Sequence, residues 1–119
     1  MDNQNEILFN RFLKNSPELT TYFNKEKELL GEKELTEYLF FAYVVEEGLK
    51  DALKTNNVSL LKRLFEDIEF FVEDEIKSRI DIVYTSLFED LCKEFKSKVF
   101  NKYMQKKTKK LWKKYSAII

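Results

Sequence analysis

The stretch VSLLKRLFEDIEFFVEDEIKSRIDIVYTSLFEDLCKEF, residues 58–95, decides the fold of this chain of 119 residues. In both halves of the stretch, apolar side chains recur every three or four residues, which is the spacing of one face of an α-helix. The first row is Leu60, Leu61, Leu64, Phe65, Ile68, Phe71 and Val72, and the second is Ile76, Ile80, Val83, Tyr84, Leu87, Phe88, Leu91 and Phe95. Asp74 and Glu75 separate the rows. The stretch therefore predicts two helices, at about 58–72 and 76–95, whose apolar faces form the centre of the core.

One short phrase occurs in both of these helices, as Leu64-Phe65-Glu66-Asp67 and as Leu87-Phe88-Glu89-Asp90. The two copies are offset by 23 residues, from 64 to 87, which is enough for one helix and a turn. A HEAT or armadillo repeat contains two or three helices and needs about 40 residues. We therefore interpret the phrase as two neighbouring helices with similar packing faces and not as a duplication. Stacked antiparallel helices with HEAT-like geometry are the arrangement we expect.

Apolar spacing predicts further helices on both sides of this pair, at about 5–15, from Pro17 to Gly31, and at about 33–54. We expect Ser16 to cap the second of these helices and Gly31 to end it, while Gly48 lets a neighbour approach closely inside the third. Beyond residue 96, one helix or two fit the pattern, the last beginning at about Lys107. Only two Gly and one Pro interrupt the chain. The sequence thus predicts an all-α, compact antiparallel bundle of five to six helices, forming a single domain over residues 1–119.

The composition is that of a globular protein, with 44% hydrophobic and 35% charged residues. The longest uncharged run around the aromatic cluster, residues 38–45, is far shorter than the roughly 20 apolar residues that span a bilayer. The N-terminus lacks a basic segment followed by an apolar one, so we expect no signal peptide and a cytoplasmic protein. Cys92 is the only cysteine, which excludes an internal disulfide.

The chain lacks the residues that most enzymes use. It contains no His, and therefore no imidazole base, no Ser-His or Cys-His nucleophile and no His ligand for zinc. It also has no Gly-rich phosphate loop. Glu66, Glu69 and Glu73 fall on one helical flank and could in principle hold a metal or transfer protons, but we interpret them as a solvated face. The sequence predicts no catalytic residues, no metal and no cofactor.

Charge is distributed unevenly along the chain, although its formal net charge is zero. Residues 93–119 contain ten Lys and one Glu, which gives +9, and residues 1–92 contain eleven Lys or Arg and twenty Asp or Glu, which gives −9. The acidic cluster of the central helices is Glu66, Asp67, Glu69, Glu73, Asp74 and Glu75. The lysines of the predicted last helix are Lys106, Lys107, Lys109, Lys110, Lys113 and Lys114.

Three interpretations of this charge pattern stay open. The acidic body is suited to docking a basic protein, with electrostatic steering of the encounter. The Lys-rich helix, together with Trp112 and Tyr115, is suited to binding nucleic acid or an anionic membrane surface. Alternatively, the basic tail folds back and neutralises the acidic helices within the chain.

Three segments carry a resemblance to a known group of proteins. They are Leu64, Phe65, Ile68 and Glu69, then Leu87, Phe88, Glu89 and Leu91, then Thr108 to Trp112. Over about half of its length the chain resembles a family of small all-helical bacterial proteins found among toxin-immunity genes. Members carry a Leu-Gly-Pro turn before the last helix, where this chain has Met104-Gln105-Lys106. The resemblance implies a protein that neutralises a partner toxin by binding and masking it.

Our first functional hypothesis is therefore an immunity-like protein that binds a protein partner through Glu66, Glu69, Glu73, Asp74 and Glu75. The second is a nucleic-acid or anionic-surface binder acting through the lysines of the last helix. The third is a structural scaffold that associates with itself. The sequence leaves the partner and the oligomeric state open.

Overall fold

The computed structural model describes residues 4–94 and 98–118, and these residues form seven helices and no strand. Helix α1 is Gln4–Asn15. A 3₁₀ turn, Pro17–Leu19, leads into α2, Thr20–Leu30. Helix α3 is continuous through three segments, Glu37–Phe40, Phe41–Val45 and Glu46–Lys54, and α4 is Val58–Val72. Helix α5 also has three segments, Lys77–Val83, Tyr84–Phe88 and Glu89–Glu94, and the last two helices are α6, Lys98–Asn101, and α7, Lys106–Ile118. The all-α prediction is confirmed.

Helix α4 lies at the centre of the bundle, in contact with α1, α3, α5 and α7. It begins where the Asn57 side chain accepts a hydrogen bond from the Leu60 backbone N–H at 3.1 Å, and Asn is a favoured residue at this capping position. Glu75, with φ of +55°, then turns the chain towards α5. All seven residues of the predicted apolar row are buried, so the predicted range and face of α4 are both confirmed.

The apolar row of α5 is buried at Val83, Leu87, Phe88 and Leu91. The prediction was wrong for Ile76, whose side chain is 43% exposed, because this residue precedes the first turn in an extended conformation. Phe95 lies outside the described residues. The C-terminal region forms two helices and not one, since a turn at 102–105 separates α6 from α7.

Both α3 and α5 contain a five-residue π-helical segment, at Phe41–Val45 and Tyr84–Phe88, and the two segments contact each other. A π turn accommodates an extra residue and rotates the residues that follow it relative to a regular α-helix. Each segment buries three side chains, which are Phe41, Val44 and Val45 in α3, and Ser86, Leu87 and Phe88 in α5. Glu46, directly after the first segment, is carried into the interior.

Two of the predicted helix ends differ from the structure. Ser16 does not cap through its side chain, because the Leu19 N–H donates to the Ser16 backbone oxygen at 3.0 Å and forms a 3₁₀ turn. The buried Ser16 hydroxyl is left without a described partner. Helix α3 begins at Glu37 and not near residue 33, since the Thr36 hydroxyl accepts a hydrogen bond from the Leu39 N–H at 3.2 Å and fixes the first turn there.

The two glycine predictions are confirmed. Gly31 ends α2 with φ of +62°, a conformation that side chains disfavour. At Gly48, a Cβ atom would lie only 2.4 Å from Cδ2 of Leu19, so the 3₁₀ turn packs directly on the backbone of α3.

Aromatic rings fill the space between the helices in two groups. Near the N-terminus, Phe9 stacks on Phe40 with 4.3 Å between ring centroids. Near the C-terminus, the Trp112 ring meets the Phe88 ring edge-on at 4.9 Å. The radius of gyration is 13.6 Å, close to the roughly 13.5 Å expected for a compact domain of this length. No helix in the described ranges combines the length and apolar character needed to cross a bilayer.

Candidate functional site

The predicted acidic surface divides into inward-facing and outward-facing residues. Glu69 is half-buried beneath α7 and Asp67 is buried beneath α1, whereas Glu66, Glu73 and Asp74 are exposed. Helix geometry accounts for Asp67, which is adjacent to Glu66 and points to another side of α4. Glu69 shares a flank with Glu66 and Glu73, and it is half-buried because α7 packs over it. Of the five predicted partner-binding residues, Glu69 is therefore half-buried, and the other four, Glu66, Glu73, Asp74 and Glu75, are exposed.

Glu69 caps the N-terminus of α7. Its Oε2 atom accepts a hydrogen bond from the Lys107 backbone N–H at 3.0 Å. Its Oε1 atom accepts one from the Thr108 N–H and one from the Thr108 hydroxyl, each at 2.8 Å. A carboxylate in this position satisfies unpaired N–H groups and also meets the positive end of the helix dipole. Glu69 is thus a structural residue that fixes α7 against α4.

The end of the acidic cluster is held by lysines of α7. The Lys107 ammonium donates to the Glu73 backbone carbonyl. The ammonium groups of Lys107 and Lys110 lie 3.8 and 3.9 Å from the two carboxylate oxygens of Glu75. Exposed ion pairs of this kind contribute at most about 1 kcal/mol each. The basic helix therefore packs back on the acidic body, as the third interpretation of the charge pattern expected.

Asp67 is 1% exposed and is held by α1. Its Oδ1 atom accepts hydrogen bonds from Arg11 Nε and Asn15 Nδ2, both at 2.9 Å. Burial raises the pKa of Asp67, while the hydrogen bonds from Asn15 and Arg11 oppose that rise. This interaction was not predicted, although Arg11 and Asn15 are four residues apart and therefore lie on one face of α1.

The outward face of α4 carries an exposed aromatic side chain between carboxylates. Phe70 is 47% exposed, and it lies four residues after Glu66 and three before Glu73. We call Glu66, Phe70, Glu73 and Asp74 the Phe70 strip. The Arg11 guanidinium lies over the Phe70 ring at 3.7 Å from its centroid. Phe70 was not among the predicted site residues, and its signal in the sequence was a Phe outside the apolar row of its helix.

A shallow groove of about 180 Å³ lies beside Phe70. Ile7 and Leu8 of α1 form one side, Phe71 lies at its base, and the Arg79 guanidinium is 5.3 Å from the Phe71 ring. Apolar and aromatic side chains with arginines around them are typical of the centre of protein interfaces. The Phe70 strip and this groove form our candidate recognition site.

Helix α7 presents most of its lysines to solvent. Lys106, Lys109, Lys110, Lys113 and Lys114 are exposed, whereas Lys107 is half-buried between α7 and α4. Trp112 is 2% exposed, and Tyr115 packs its ring 5.1 Å from that of Tyr84. The expectation that Trp112 accompanies the lysines at the surface was therefore wrong, because its ring attaches α7 to the core, whereas Tyr115 is half-buried.

One carboxylate is buried away from these surfaces. Glu46 is 2% exposed, and its Oε1 atom lies 2.9 Å from the Lys50 ammonium one turn later, while Oε2 has no hydrogen-bond partner in the described part of the chain. Burial raises the pKa of Glu46 to about 7; the Lys50 ammonium opposes this, and the nearby Asp90 and Glu47 carboxylates add to it.

A cavity of about 580 Å³ lies between α1 and the loop after α2. Its polar lining consists of exposed side chains such as Lys27, Lys33 and Glu34, so no buried polar group orients a ligand there. Across residues 4–94 and 98–118, no three acidic or Cys side chains converge as metal ligands would.

Comparison with models of known protein families shows which family the chain belongs to. The profile described as "Domain of unknown function (DUF7674)" matches residues 9–118. The chain belongs to the DUF7674 family. Comparisons with curated proteins and with solved structures gave no match. The DUF7674 match includes the whole Phe70 strip and every lysine of α7, whereas Ile7 and Leu8, on one side of the groove, precede it.

Proposed function

We propose that this DUF7674 protein is a non-catalytic module that binds a protein partner through the Phe70 strip and the adjacent groove. The observation that carries the proposal is Phe70 itself, a large aromatic side chain 47% exposed within a row of carboxylates. Burying an exposed ring on binding releases water from apolar surface, and such rings are frequent hot spots of interfaces.

The charge around Phe70 defines the class of partner. Glu66, Glu73 and Asp74 are exposed, and their carboxylates form no ion pair with other described residues. They would attract a basic surface and orient it, while Phe70 supplies apolar contact area. The proposed partner is therefore a protein with a basic patch next to an apolar side chain.

The resemblance to toxin-immunity proteins gives this partner a candidate identity. We propose a bacterial toxin with a basic surface, which the DUF7674 chain would neutralise in the cytoplasm by masking it. This finer assignment rests on the resemblance of residues 64–69, 87–91 and 108–112 to that family, and it is independent of the geometry at Phe70.

Co-expression with the product of the adjacent gene, followed by co-purification and titration calorimetry, tests the proposal. Phe70→Ala is expected to weaken binding roughly 30-fold, the effect of losing an interface hot spot of about 2 kcal/mol. The Glu66→Lys/Glu73→Lys variant is expected to abolish binding by charge repulsion. Glu69 is left unchanged because it caps α7.

The matched controls lie on and just after α2. Leu29→Ala removes an exposed apolar side chain, and Glu28→Lys/Glu32→Lys reverses two exposed carboxylates. Both controls are expected to bind like the unaltered chain. Equal affinity for the Phe70 variant and the Leu29 variant would exclude the Phe70 strip as the binding surface.

A further inference from the structure

We propose that the exposed lysine face of α7 is a second binding site, independent of the Phe70 strip, for the phosphate backbone of a double-stranded nucleic acid. We define the lysine face as Lys106, Lys109, Lys113 and Lys114. These four side chains are exposed and form no ion pair with any residue in the described ranges. Lys107 and Lys110 differ, since both lie near the Glu75 carboxylate.

The spacing of the lysines determines the shape of the site. Lys106, Lys109 and Lys113 follow each other at i, i+3 and i+7, which places them along one line of the helix surface. The line covers about 10 Å of helix axis at 1.5 Å per residue. Duplex DNA carries one negative charge per roughly 1.7 Å of its axis, so several phosphates fall within reach of this line.

The attachment of α7 to the body makes the lysine face rigid. Glu69 holds the first turn by three hydrogen bonds, and the opposite face of the helix is buried through Leu111 and Trp112. The lysines are therefore held in fixed register on a folded surface, and they do not depend on folding of the tail upon binding.

The same attachment favours nucleic acid over a membrane. A helix that lies on a bilayer inserts its apolar face between the lipids. In α7 that face is already used, because Trp112 is 2% exposed and packs against Phe88 and Phe100. Among residues 106–115 of α7, no aromatic ring is exposed that could stack on the bases of a single strand. Contacts with phosphates are therefore the remaining mode of binding.

Fluorescence anisotropy with a labelled DNA duplex of about 20 base pairs tests the proposal. Neutralising four phosphates predicts a slope of about −3.6 in a plot of log affinity against log salt concentration. Affinity should therefore fall roughly 150-fold between about 50 mM and about 200 mM NaCl. Two duplexes of unrelated sequence should bind equally. Absence of binding at the lower salt concentration would overturn the proposal.

Paired variants locate the site on α7. Lys109→Gln/Lys113→Gln should weaken binding and make the slope less steep by about 2, because each lysine contributes about one phosphate contact. Lys25→Gln/Lys33→Gln, at exposed positions on and after α2, is the matched control. Circular dichroism would verify that both variants are folded. An unchanged slope for the α7 variant would overturn the assignment.

The membrane alternative is an outcome of the same experiment. Vesicles of phosphatidylcholine with phosphatidylserine would be titrated at the lower salt concentration in place of DNA. Stronger association with these vesicles than with the duplex would overturn the assignment to nucleic acid. Binding of a labelled oligothymidine tighter than that of the duplex would overturn the assignment to a double-stranded backbone.

Discussion

Substitution of Glu46 by Gln should change how the stability of the protein depends on pH. The Glu46 side chain is 2% exposed, and burial raises its pKa from 4.5 to about 7. Between these values the native state keeps a proton that the unfolded state has released. The free energy of unfolding therefore falls as pH rises through this range, and the contribution of Glu46 levels off above pH 7.

The magnitude follows from the same two pKa values. Each pKa unit corresponds to about 1.36 kcal/mol, so moving the pKa from 4.5 to about 7 destabilises the ionised native state by about 3 kcal/mol. Gln is similar in size and cannot ionise. Glu46→Gln should thus be more stable than the unaltered chain by about 2–3 kcal/mol at about pH 8, and by about 1 kcal/mol or less at about pH 5.

Urea unfolding followed by far-ultraviolet circular dichroism, at a series of pH values, measures this difference. The chain has no His, so no imidazole titration is superimposed on that of Glu46 near neutral pH. Lys50→Gln is the control for the loss of the ion pair at 2.9 Å. It should keep the fall in stability with rising pH and extend it above pH 7, because the Lys50 ammonium opposes the rise in the pKa of Glu46. Parallel pH profiles for the Glu46 variant and the unaltered chain would refute the reasoning.

Three further substitutions test the packing of the bundle, with urea unfolding as the measurement. Glu69→Gln weakens the cap of α7 and should lower the free energy of unfolding by about 1–2 kcal/mol. The Thr108 amide hydrogen should also exchange faster, and unchanged exchange there would contradict the capping role. Gly48→Ala should destabilise by about 1–3 kcal/mol despite its better helix propensity, because the new Cβ would overlap Cδ2 of Leu19, a fully buried side chain with little room to move. A stabilised variant would contradict this packing. Ser16→Ala removes a buried hydroxyl without a described partner and should stabilise by about 1 kcal/mol, so that a loss of stability would indicate a missed hydrogen bond.

The helices and their buried faces were predictable because the spacing of apolar residues within a short stretch indicates which face of a helix is buried. The rows of α4 and α5 needed only the positions of Leu, Ile and Phe in one continuous stretch. Gly31 and Asn57 were predictable for a similar reason, since a backbone turn or a helix cap depends on a few adjacent residues. Whether the region beyond residue 96 forms one helix or two stayed open, because α6 is a single turn and no Gly or Pro marks the turn between α6 and α7.

The candidate sites could not be predicted in full, because they depend on contacts between residues that are far apart in the sequence. Glu69 and Glu73 are equivalent on a helical flank, and only the position of α7, 38 residues further along, makes Glu69 a cap. The π segments of α3 and α5 contact each other, and the Asp90 carboxylate of α5 lies near enough to raise the pKa of Glu46, so the surroundings of Glu46 include both helices. Phe70 lies outside the apolar row of α4, but only the position of α1 shows that the Arg11 guanidinium lies over its ring and that 47% of the side chain stays exposed.

Photo-crosslinking at position 70 in cells of the source organism tests the central claim most directly. A photoreactive phenylalanine analogue would replace Phe70, and a second strain would carry it in place of Leu29, which is 72% exposed. We predict that position 70 captures one basic protein, that position 29 does not, and that Glu66→Lys/Glu73→Lys abolishes the capture. No product from position 70, or the same products from both positions, would contradict the claim that the Phe70 strip is a protein-binding surface.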